Sequence, residues 1–242
     1  MKKVLFAAAV AAGLVAFGDG IESANTVGYQ TISVEQGSWA LLGAQFEGTD
    51  ALPMAVNDFV KGTFVPTDDL GTAPVLQTWD GTGLVSFYYC NEDMTLDTDG
   101  WSDDTGTLVD FTVSPGQGFW FRDDNEDCEI TISGQVGVTG AEVDVVADQW
   151  NLCANPYPTI LLVNGNNVDW GDLVPTDDLG TAPVLQVWDG TGLVSYYYCN
   201  EDMTLEGDGW ADDTGTLVDL EIPAGVGFWL YPNADTTLTF SR

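Results

Sequence analysis

The feature that most constrains this 242-residue chain is an internal repeat. The segment PTDDLGTAPVLQ begins at Pro66 and again at Pro175, an offset of 109 residues. Between 66–110 and 175–219 only five of 45 aligned positions differ, and the register holds without a gap. A repeat of this length is long enough to bury a core of its own. The sequence therefore predicts two similar domains in series, with residues 1–20 as a signal peptide, 21–134 as unit 1 and 135–242 as unit 2.

The N-terminus has the pattern of an export signal. Lys2 and Lys3 precede an apolar run over residues 4–17, and small or turn-forming residues follow it. The run is shorter than the roughly 20 residues that a membrane span needs, and no later stretch approaches that length. We therefore expect cleavage between residues 18 and 24 and a secreted protein, extracellular or at the cell surface, without a membrane span.

Acidic residues dominate the charge of the chain. There are 38 Asp and Glu residues against five Lys and Arg residues, a net charge of −33, and loss of Lys2 and Lys3 makes the mature chain still more negative. Nucleic acid and anionic membrane surfaces would repel such a protein, so we expect neither as a partner. Solubility in extracellular fluid explains the composition, and specific cation binding is the alternative.

Strand patterns fill both units. Val109, Phe111 and Val113 alternate with other residues, as in a half-buried strand, and Asp80-Gly81-Thr82-Gly83 has the chemistry of a hairpin turn. No amphipathic helix follows the signal. The prediction is an all-β fold of two tandem β-sandwich or jelly-roll units with a short junction near residues 134–140. The principal predicted strands are 27–34, 39–46, 76–79, 84–90, 108–113, 118–121 and 129–132 in unit 1, and 143–146, 150–153, 193–199, 217–222, 227–230 and 237–240 in unit 2.

Four cysteines in an exported chain predict two disulfides. Cys90 and Cys199 occupy equivalent repeat positions, whereas Cys128 and Cys153 have no cysteine counterparts. Pairing Cys90 with Cys128, and Cys153 with Cys199, would give each unit its own bond. A bond across the junction or between chains is the alternative.

The acidic loop after residue 90 is a candidate site for calcium or a similar hard cation. Several carboxylates fall on one turn-rich segment, and the loop is repeated in unit 2. The predicted ligands are Asp97, Asp99, Asp103 and Asp104 in unit 1, and Glu206, Asp208, Asp212 and Asp213 in unit 2. The glycine and terminal glutamate do not stand where an EF-hand needs them. Solvated surface loops are the competing interpretation.

The sequence favours a protein that is not an enzyme. It contains no histidine, and Lys61 is the one lysine left after cleavage, so serine or cysteine nucleophiles have no conventional base. A pair of carboxylates within reach of each other, as glycoside hydrolysis requires, arises by chance among so many acids. Without histidine, a transition-metal site is also not expected.

Several aromatic residues are candidates for stacking on sugar rings, because a flat ring covers the apolar face of a sugar. Trp101 and its equivalent Trp210 lie among Asp and Gly residues, so we expect these two to be exposed and to stack on a ligand. Trp79 and Trp120 are expected to pack in the cores. In Phe87-Tyr88-Tyr89, strand alternation sends at least one ring away from the core.

Several short motifs resemble a known group of proteins. They are SANTVGY at residues 23–29, a Trp-Asp-Gly hairpin at 79–81, a Gly-Trp loop at 100–101 and PGQGFW at 115–120. Together they resemble secreted, mostly uncharacterised proteins of the Verrucomicrobia and Lentisphaerae group of bacteria. Unit 2 departs from the pattern with Ala224 in place of the proline. The resemblance implies export and an all-β fold, and it supplies no activity.

The functional expectation is a structural subunit of an extracellular fibre or cell-surface assembly, built from copies of this chain joined head to tail. With two near-identical units, a face used inside the chain has a copy at the far end, and head-to-tail contacts of this kind grow an open filament unless their rotation closes a ring. The segment 21–29 is expected to add to a neighbour's sheet edge. The alternative is a secreted calcium- or glycan-binding module.

Overall fold

The structure, a computed structural model, describes residues 27–47, 53–137 and 141–241. Within these ranges nearly all regular structure is β-strand, which confirms the all-β fold class. The helices of this described part are four residues long. The predicted signal peptide and most of the segment 21–29 lie outside the described residues. No helix found within the described ranges has the length and hydropathy of a membrane-crossing segment.

Unit 1 is built from a five-stranded and a three-stranded antiparallel sheet. Its elements are β1 (Val27–Val34), β2 (Ala40–Gly43), β3 (Met54–Ala55), α1 (Val56–Phe59), β4 (Val60–Gly62), β5 (Val75–Trp79), β6 (Leu84–Cys90), α2 (Glu92–Thr95), β7 (Gly100–Ser102), β8 (Thr112–Val113), β9 (Gly118–Arg122) and β10 (Cys128–Gln135). The strand orders are β2-β9-β5-β6-β7 and β1-β10-β4, and β3 pairs with β8.

Unit 2 repeats this arrangement strand for strand. Its elements are β11 (Ala141–Val145), β12 (Asn151–Ala154), β13 (Leu161–Leu162), β14 (Val168–Asp169), β15 (Val184–Trp188), β16 (Leu193–Cys199), α3 (Glu201–Thr204), β17 (Gly209–Ala211), β18 (Glu221–Ile222), β19 (Gly227–Tyr231) and β20 (Thr236–Phe240). The orders β12-β19-β15-β16-β17 and β11-β20-β14 match those of unit 1, and β13 pairs with β18.

The hairpin between β5 and β6 forms at the predicted turn. The Asp80 carboxylate accepts hydrogen bonds from the backbone N–H groups of Thr82 (2.8 Å) and Gly83 (2.9 Å). Gly81 has a φ of +96°, a conformation that glycine adopts without steric cost. The turn fixes the register in which Trp79 lies directly opposite Leu84.

A hydrophobic core lies between the two sheets of each unit. Strand alternation decides which side chains enter it, because successive residues point to opposite faces of a sheet. In β5, Leu76 is fully buried in the core of unit 1, whereas Gln77 and Trp79 point to the other face of the five-stranded sheet. Each five-stranded sheet therefore has a second face that carries tryptophans and is not covered by its own unit.

The two units pack against each other through these second faces. Leu41 and Trp120 of unit 1 form one buried cluster with Leu152 and Trp229 of unit 2. Trp120 meets Trp188 edge to face with ring centroids 5.3 Å apart, and the equivalent pair, Trp229 and Trp79, lies at 5.2 Å. Aromatic pairs of this geometry contribute about 0.5–1.5 kcal/mol each beyond the area that they bury.

Backbone hydrogen bonds across the interface come in equivalent pairs, as expected for a local two-fold symmetry between the units. Gly43 N–H donates to the Gly225 carbonyl (3.0 Å), and its equivalent Ala154 N–H donates to the Gly116 carbonyl (2.7 Å). The contact is isologous, since both units use the same face. Because each unit covers this face of the other, neither face is left free to bind another chain. The contact therefore does not support the expected head-to-tail growth.

Gly43 and Ala154 face each other across the interface between the units. A Cβ atom added to Gly43 would lie 2.2 Å from the Cβ of Ala154, a distance that real Cβ atoms do not reach. The site has room for one methyl group and not for two. The pairing of Gly43 with Ala154 therefore fits. Two copies of the unit 2 face would instead bring the methyl groups of two Ala154 residues into the same space.

Replacing Gly43 with alanine should destabilise the protein by about 1–3 kcal/mol, the usual cost of an overpacked contact. Adding Ala154→Gly to this variant should restore part of the free energy of unfolding, because the second change removes the opposing methyl group. Denaturant unfolding of the two single variants and the double variant measures this coupling. Gly83→Ala is the matched control, since an added Cβ meets nothing within 4 Å there. An unchanged stability of Gly43→Ala would contradict the close approach.

All four cysteines are free and buried, so the structure does not support the predicted pairs Cys90–Cys128 and Cys153–Cys199. Cys153 on β12 and Cys199 on β16 are separated by β19 and β15, about 14 Å at the usual strand spacing. Cys90 and Cys128 belong to different sheets, and both are unpaired. A disulfide needs Cα atoms about 4.4–6.8 Å apart.

The folded protein should react slowly with thiol reagents at mildly alkaline pH, and reducing agents should leave its melting temperature unchanged. Burial raises the pKa of Cys128 and of Cys153 to about 12, so the reactive thiolate is scarce at both sites. In denaturant without reductant, titration should count four thiols. A count that rises only after reduction would show that disulfides form after all.

Candidate functional site

The interface between the units opens into a cavity of about 470 Å³, called here the tryptophan groove. Its lining consists of tryptophan and leucine side chains and two glutamine amides, and each residue has its equivalent in the other unit. The lining residues are Trp39, Gln77, Trp79, Leu84 and Trp120 from unit 1, and Trp150, Gln186, Trp188, Leu193 and Trp229 from unit 2. None of these ten residues is charged, although the chain carries a net charge of −33.

The register of β5, β6 and β9 brings the groove residues of unit 1 onto one face. Trp120 and Ser86 lie on either side of Gln77 in the neighbouring strands, and Leu84 lies opposite Trp79. Directly opposed residues of antiparallel strands share a face. Trp39 directly precedes β2, and its ring meets Trp120 edge to face at 6.1 Å. The same pairings recur in β15, β16 and β19.

The two glutamines are held in place by cross-strand hydrogen bonds. Gln77 Nε2 donates to Ser86 Oγ at 2.9 Å, and Gln186 Nε2 donates to Ser195 Oγ at 2.9 Å. The bonds fix both amides at the wall of an otherwise apolar cavity. A ligand in the groove therefore meets polar groups at two symmetry-related points.

Trp79 and Trp188 each have a buried indole Nε1–H group without a hydrogen-bond partner. An unpaired buried donor costs free energy, about 1–3 kcal/mol when its partner is removed, so such groups are rare in folded proteins. Both residues line the groove, but the nitrogen atoms themselves are buried from solvent. The core residues Trp101 and Trp210 also have unpaired indole N–H groups.

The predicted stacking residues Trp101 and Trp210 are not exposed, which corrects the sequence-based expectation. Both have an exposed fraction of 0% and lie in the hydrophobic cores. The reason is strand alternation in β7, which places Trp101 opposite Tyr89 and turns both rings inward, with centroids 5.3 Å apart. Neither residue can stack on a ligand that binds at the surface.

Four of the eight predicted metal ligands accept hydrogen bonds from their own loops. Asp103 Oδ1 accepts hydrogen bonds from Thr105 N–H (2.9 Å), Thr105 Oγ1 (2.7 Å) and Thr107 N–H (3.0 Å). Asp99 Oδ1 accepts from Glu92 N–H at 3.1 Å. In unit 2, Asp212 and Asp208 make the equivalent bonds. The remaining predicted ligands, Asp97, Asp104, Glu206 and Asp213, are exposed.

The described ranges contain no group of three or more His, Cys, Asp or Glu side chains that could hold a metal ion. The structure thus brings the eight predicted ligands into two equivalent loops without gathering them around a common centre. Calcium binding by these loops stays a prediction.

Hydrogen bonding changes the acidity of the loop carboxylates. The Thr105 hydroxyl and the backbone N–H groups of Thr105 and Thr107 lower the pKa of Asp103 below its ordinary value of 3.8. Thr214 and Thr216 do the same to Asp212. A carboxylate whose pKa is lowered on folding stabilises the folded state above its unfolded pKa, and this contribution is lost as the pH falls through the folded pKa.

The double variant Asp103→Ala and Asp212→Ala should melt at a lower temperature than the parent protein at neutral pH, with or without calcium. The difference should shrink in acid below a pH of about 3.8, where the parent carboxylates also lose their charge. The control is Asp104→Ala with Asp213→Ala, which removes the same number of negative charges from the same two loops. Equal melting curves for both double variants would contradict the structural role of Asp103 and Asp212.

Sequence reasoning missed the tryptophan groove because it placed Trp79 and Trp120 in the cores. A usable signal was present in β5, where alternation puts Leu76 and Trp79 on opposite faces, so both could not enter the same core. The expectation for Phe87-Tyr88-Tyr89 is confirmed, since Phe87 and Tyr89 pack against the core and Tyr88 points away from it.

Comparisons with known proteins give no information on this site. No protein-family model matches the chain, and neither a curated protein nor a solved structure matches it significantly.

Proposed function

We propose that this protein binds a neutral glycan in the tryptophan groove, as a secreted carbohydrate-binding module. The observation that carries the proposal is the lining itself, in which six tryptophans and two anchored glutamine amides surround one cavity. Its volume, about 470 Å³, lies in the range of about 300–1,000 Å³ that is usual for small-ligand sites.

The aromatic lining suits the apolar faces of sugar rings. Trp39, Trp79, Trp150 and Trp188 are half-buried, so part of each ring remains open to the cavity. Flat rings bury a large apolar area with little loss of side-chain entropy, which favours binding of rigid cyclic ligands. Because the rings are already packed edge to face, the site needs little ordering when a ligand enters.

The polar groups of the groove favour a ligand with hydroxyl groups over a hydrocarbon. Gln77 and Gln186 line the groove and offer amide groups to hydroxyls. A purely apolar ligand would bury these amides without compensation. The absence of charge among the ten lining residues suits a neutral sugar rather than a charged one.

The test is a glycan array followed by calorimetry with any sugar that binds. The Gln77→Ala and Gln186→Ala double variant should bind at least about tenfold more weakly, with an unchanged melting temperature. The double variant Trp79→Ala and Trp188→Ala should abolish binding. The two single variants should each weaken binding, by amounts similar to each other. We expect one ligand per chain, because the two units share one groove.

The matched control is Leu96→Ala with Leu205→Ala, a repeated pair whose exposed fractions are 85% and 87% and which does not line the groove. This variant should bind like the parent. A silent array, two ligands per chain, or full binding by both groove variants would sink the proposal.

A subunit of an extracellular fibre or surface assembly remains a second proposal. One observation supports it: β1 is an edge strand, whose pairing partner in the described part of the chain is β10, and it exposes Val27 (73%) and Tyr29 (56%). Exposed edges are templates for pairing with another chain. Light scattering at high protein concentration, with and without calcium, and electron micrographs of the native cell surface test it. A monomeric mass together with no filaments would exclude it.

A further inference from the structure

The lining of the tryptophan groove is identical in the two units. Each of its residues in unit 1 has the same residue type at the equivalent position of unit 2, so the groove presents one surface twice. The equivalent pairs are Trp39 and Trp150, Gln77 and Gln186, Trp79 and Trp188, Leu84 and Leu193, and Trp120 and Trp229.

This identity extends beyond the nearly identical segment 66–110. Trp39 and Trp120 lie in the less similar flanks, yet unit 2 has a tryptophan at both equivalent positions. A neighbouring position that does not line the groove has changed, since β9 ends at Arg122 and β19 ends at Tyr231. The two units therefore have the same residues at the groove even where residues next to it differ.

The side-chain geometry of the lining also repeats. The amides of Gln77 and Gln186 each lie 2.9 Å from the hydroxyl of a cross-strand serine. The outer tryptophans, Trp39 and Trp150, meet their neighbouring indoles edge to face at 6.1 Å and 6.3 Å. The local two-fold symmetry thus applies to the positions of the groups that a ligand would meet, and not to the sequence alone.

The two-fold axis passes through the groove. A rotation that exchanges the two units also exchanges the two halves of the lining, and both halves line one cavity. The rotation therefore maps the cavity onto itself, which is possible only if the axis crosses it. A ligand on this axis meets the same surface on both of its sides, turned by 180°.

We propose that the tryptophan groove is specific for a neutral sugar that has a two-fold axis of its own. The chemical class is a non-reducing disaccharide of two identical rings joined through their anomeric carbons with the same configuration. This specificity rests on the proposed binding of a neutral glycan in the groove. With the axis of the ligand on the axis of the groove, both sugar rings have equivalent surroundings, and each contact of one ring is repeated by the other.

The two glutamine amides make the specificity directional. Each amide uses one N–H group in its bond to serine, and the Oε1 atom of the same amide is an acceptor for a sugar hydroxyl. A two-fold ligand that places a hydroxyl at Gln77 places the equivalent hydroxyl at Gln186. A disaccharide without this symmetry matches one amide and presents a different arrangement of hydroxyls to the other. Polar groups that are covered without a partner weaken binding.

Three isomers of trehalose are the probes, titrated into the whole protein by calorimetry. The α,α, β,β and α,β isomers are neutral, non-reducing and equal in composition, and the α,β isomer lacks the two-fold axis. One of the two symmetric isomers should bind one per chain, at least about tenfold more tightly than the α,β isomer. The double variant Trp79→Ala and Trp188→Ala should lose the saturable heat, which separates binding in the groove from a general effect of sugar on the protein.

The single variants Gln77→Ala and Gln186→Ala test whether both halves of the groove are used alike. Each should weaken binding of the symmetric isomer by the same factor, within about twofold, and the double variant should show the product of the two factors. Loss of affinity in one single variant and full affinity in the other would overturn the proposal, because the ligand would then depend on one half of the groove.

The outcomes also separate this specificity from glycan binding itself. An α,β isomer that binds as tightly as both symmetric isomers would overturn the two-fold specificity and leave glycan binding intact. The same holds if maltose, a reducing disaccharide without the axis, binds more tightly than the symmetric isomers. A silent glycan array together with no binding of any trehalose isomer would overturn both proposals.

Discussion

The packing of the two tryptophan-bearing sheet faces is the interaction on which the rest of the structure depends. Each five-stranded sheet covers its own core with one face and would otherwise expose large aromatic side chains on the other. Joining the two faces buries Leu41, Trp120, Leu152 and Trp229 in one cluster. The same contact leaves a cavity on the local two-fold axis, so the interface that unites the units also creates the groove.

The two units have the same sheets but differ at individual side chains. Nearly identical segments supply the groove pairs Trp79 and Trp188, Gln77 and Gln186, which gives the site its symmetry. The less similar flanks break that symmetry at two places. Gly43 faces Ala154 and admits a single methyl group between the units, and Gly62 stands where unit 2 has Trp170.

The strong negative charge is distributed away from the groove. No carboxylate is among the groove residues, and several accept hydrogen bonds within their own turns, as Asp80 and Asp103 do. Long-range repulsion by a highly anionic protein acts on anions, whereas a neutral ligand of the proposed kind would meet only the neutral groups that line the groove. Salt should therefore affect solubility and association more than it affects the groove itself.

The sequence by itself determined the fold class and the local pattern. The strands at 27–34, 84–90 and 193–199 have the predicted bounds, because period-two alternation and glycine turns act over a few residues. The segment 108–113 was less accurate, since within it only Thr112–Val113 forms a strand. Alternation tells which residues share a face, but not what covers that face. Only the tertiary structure decided that Trp101 is buried, that Trp79 lines a groove and that the cysteines are buried and unpaired, because each depends on how one sheet packs against another.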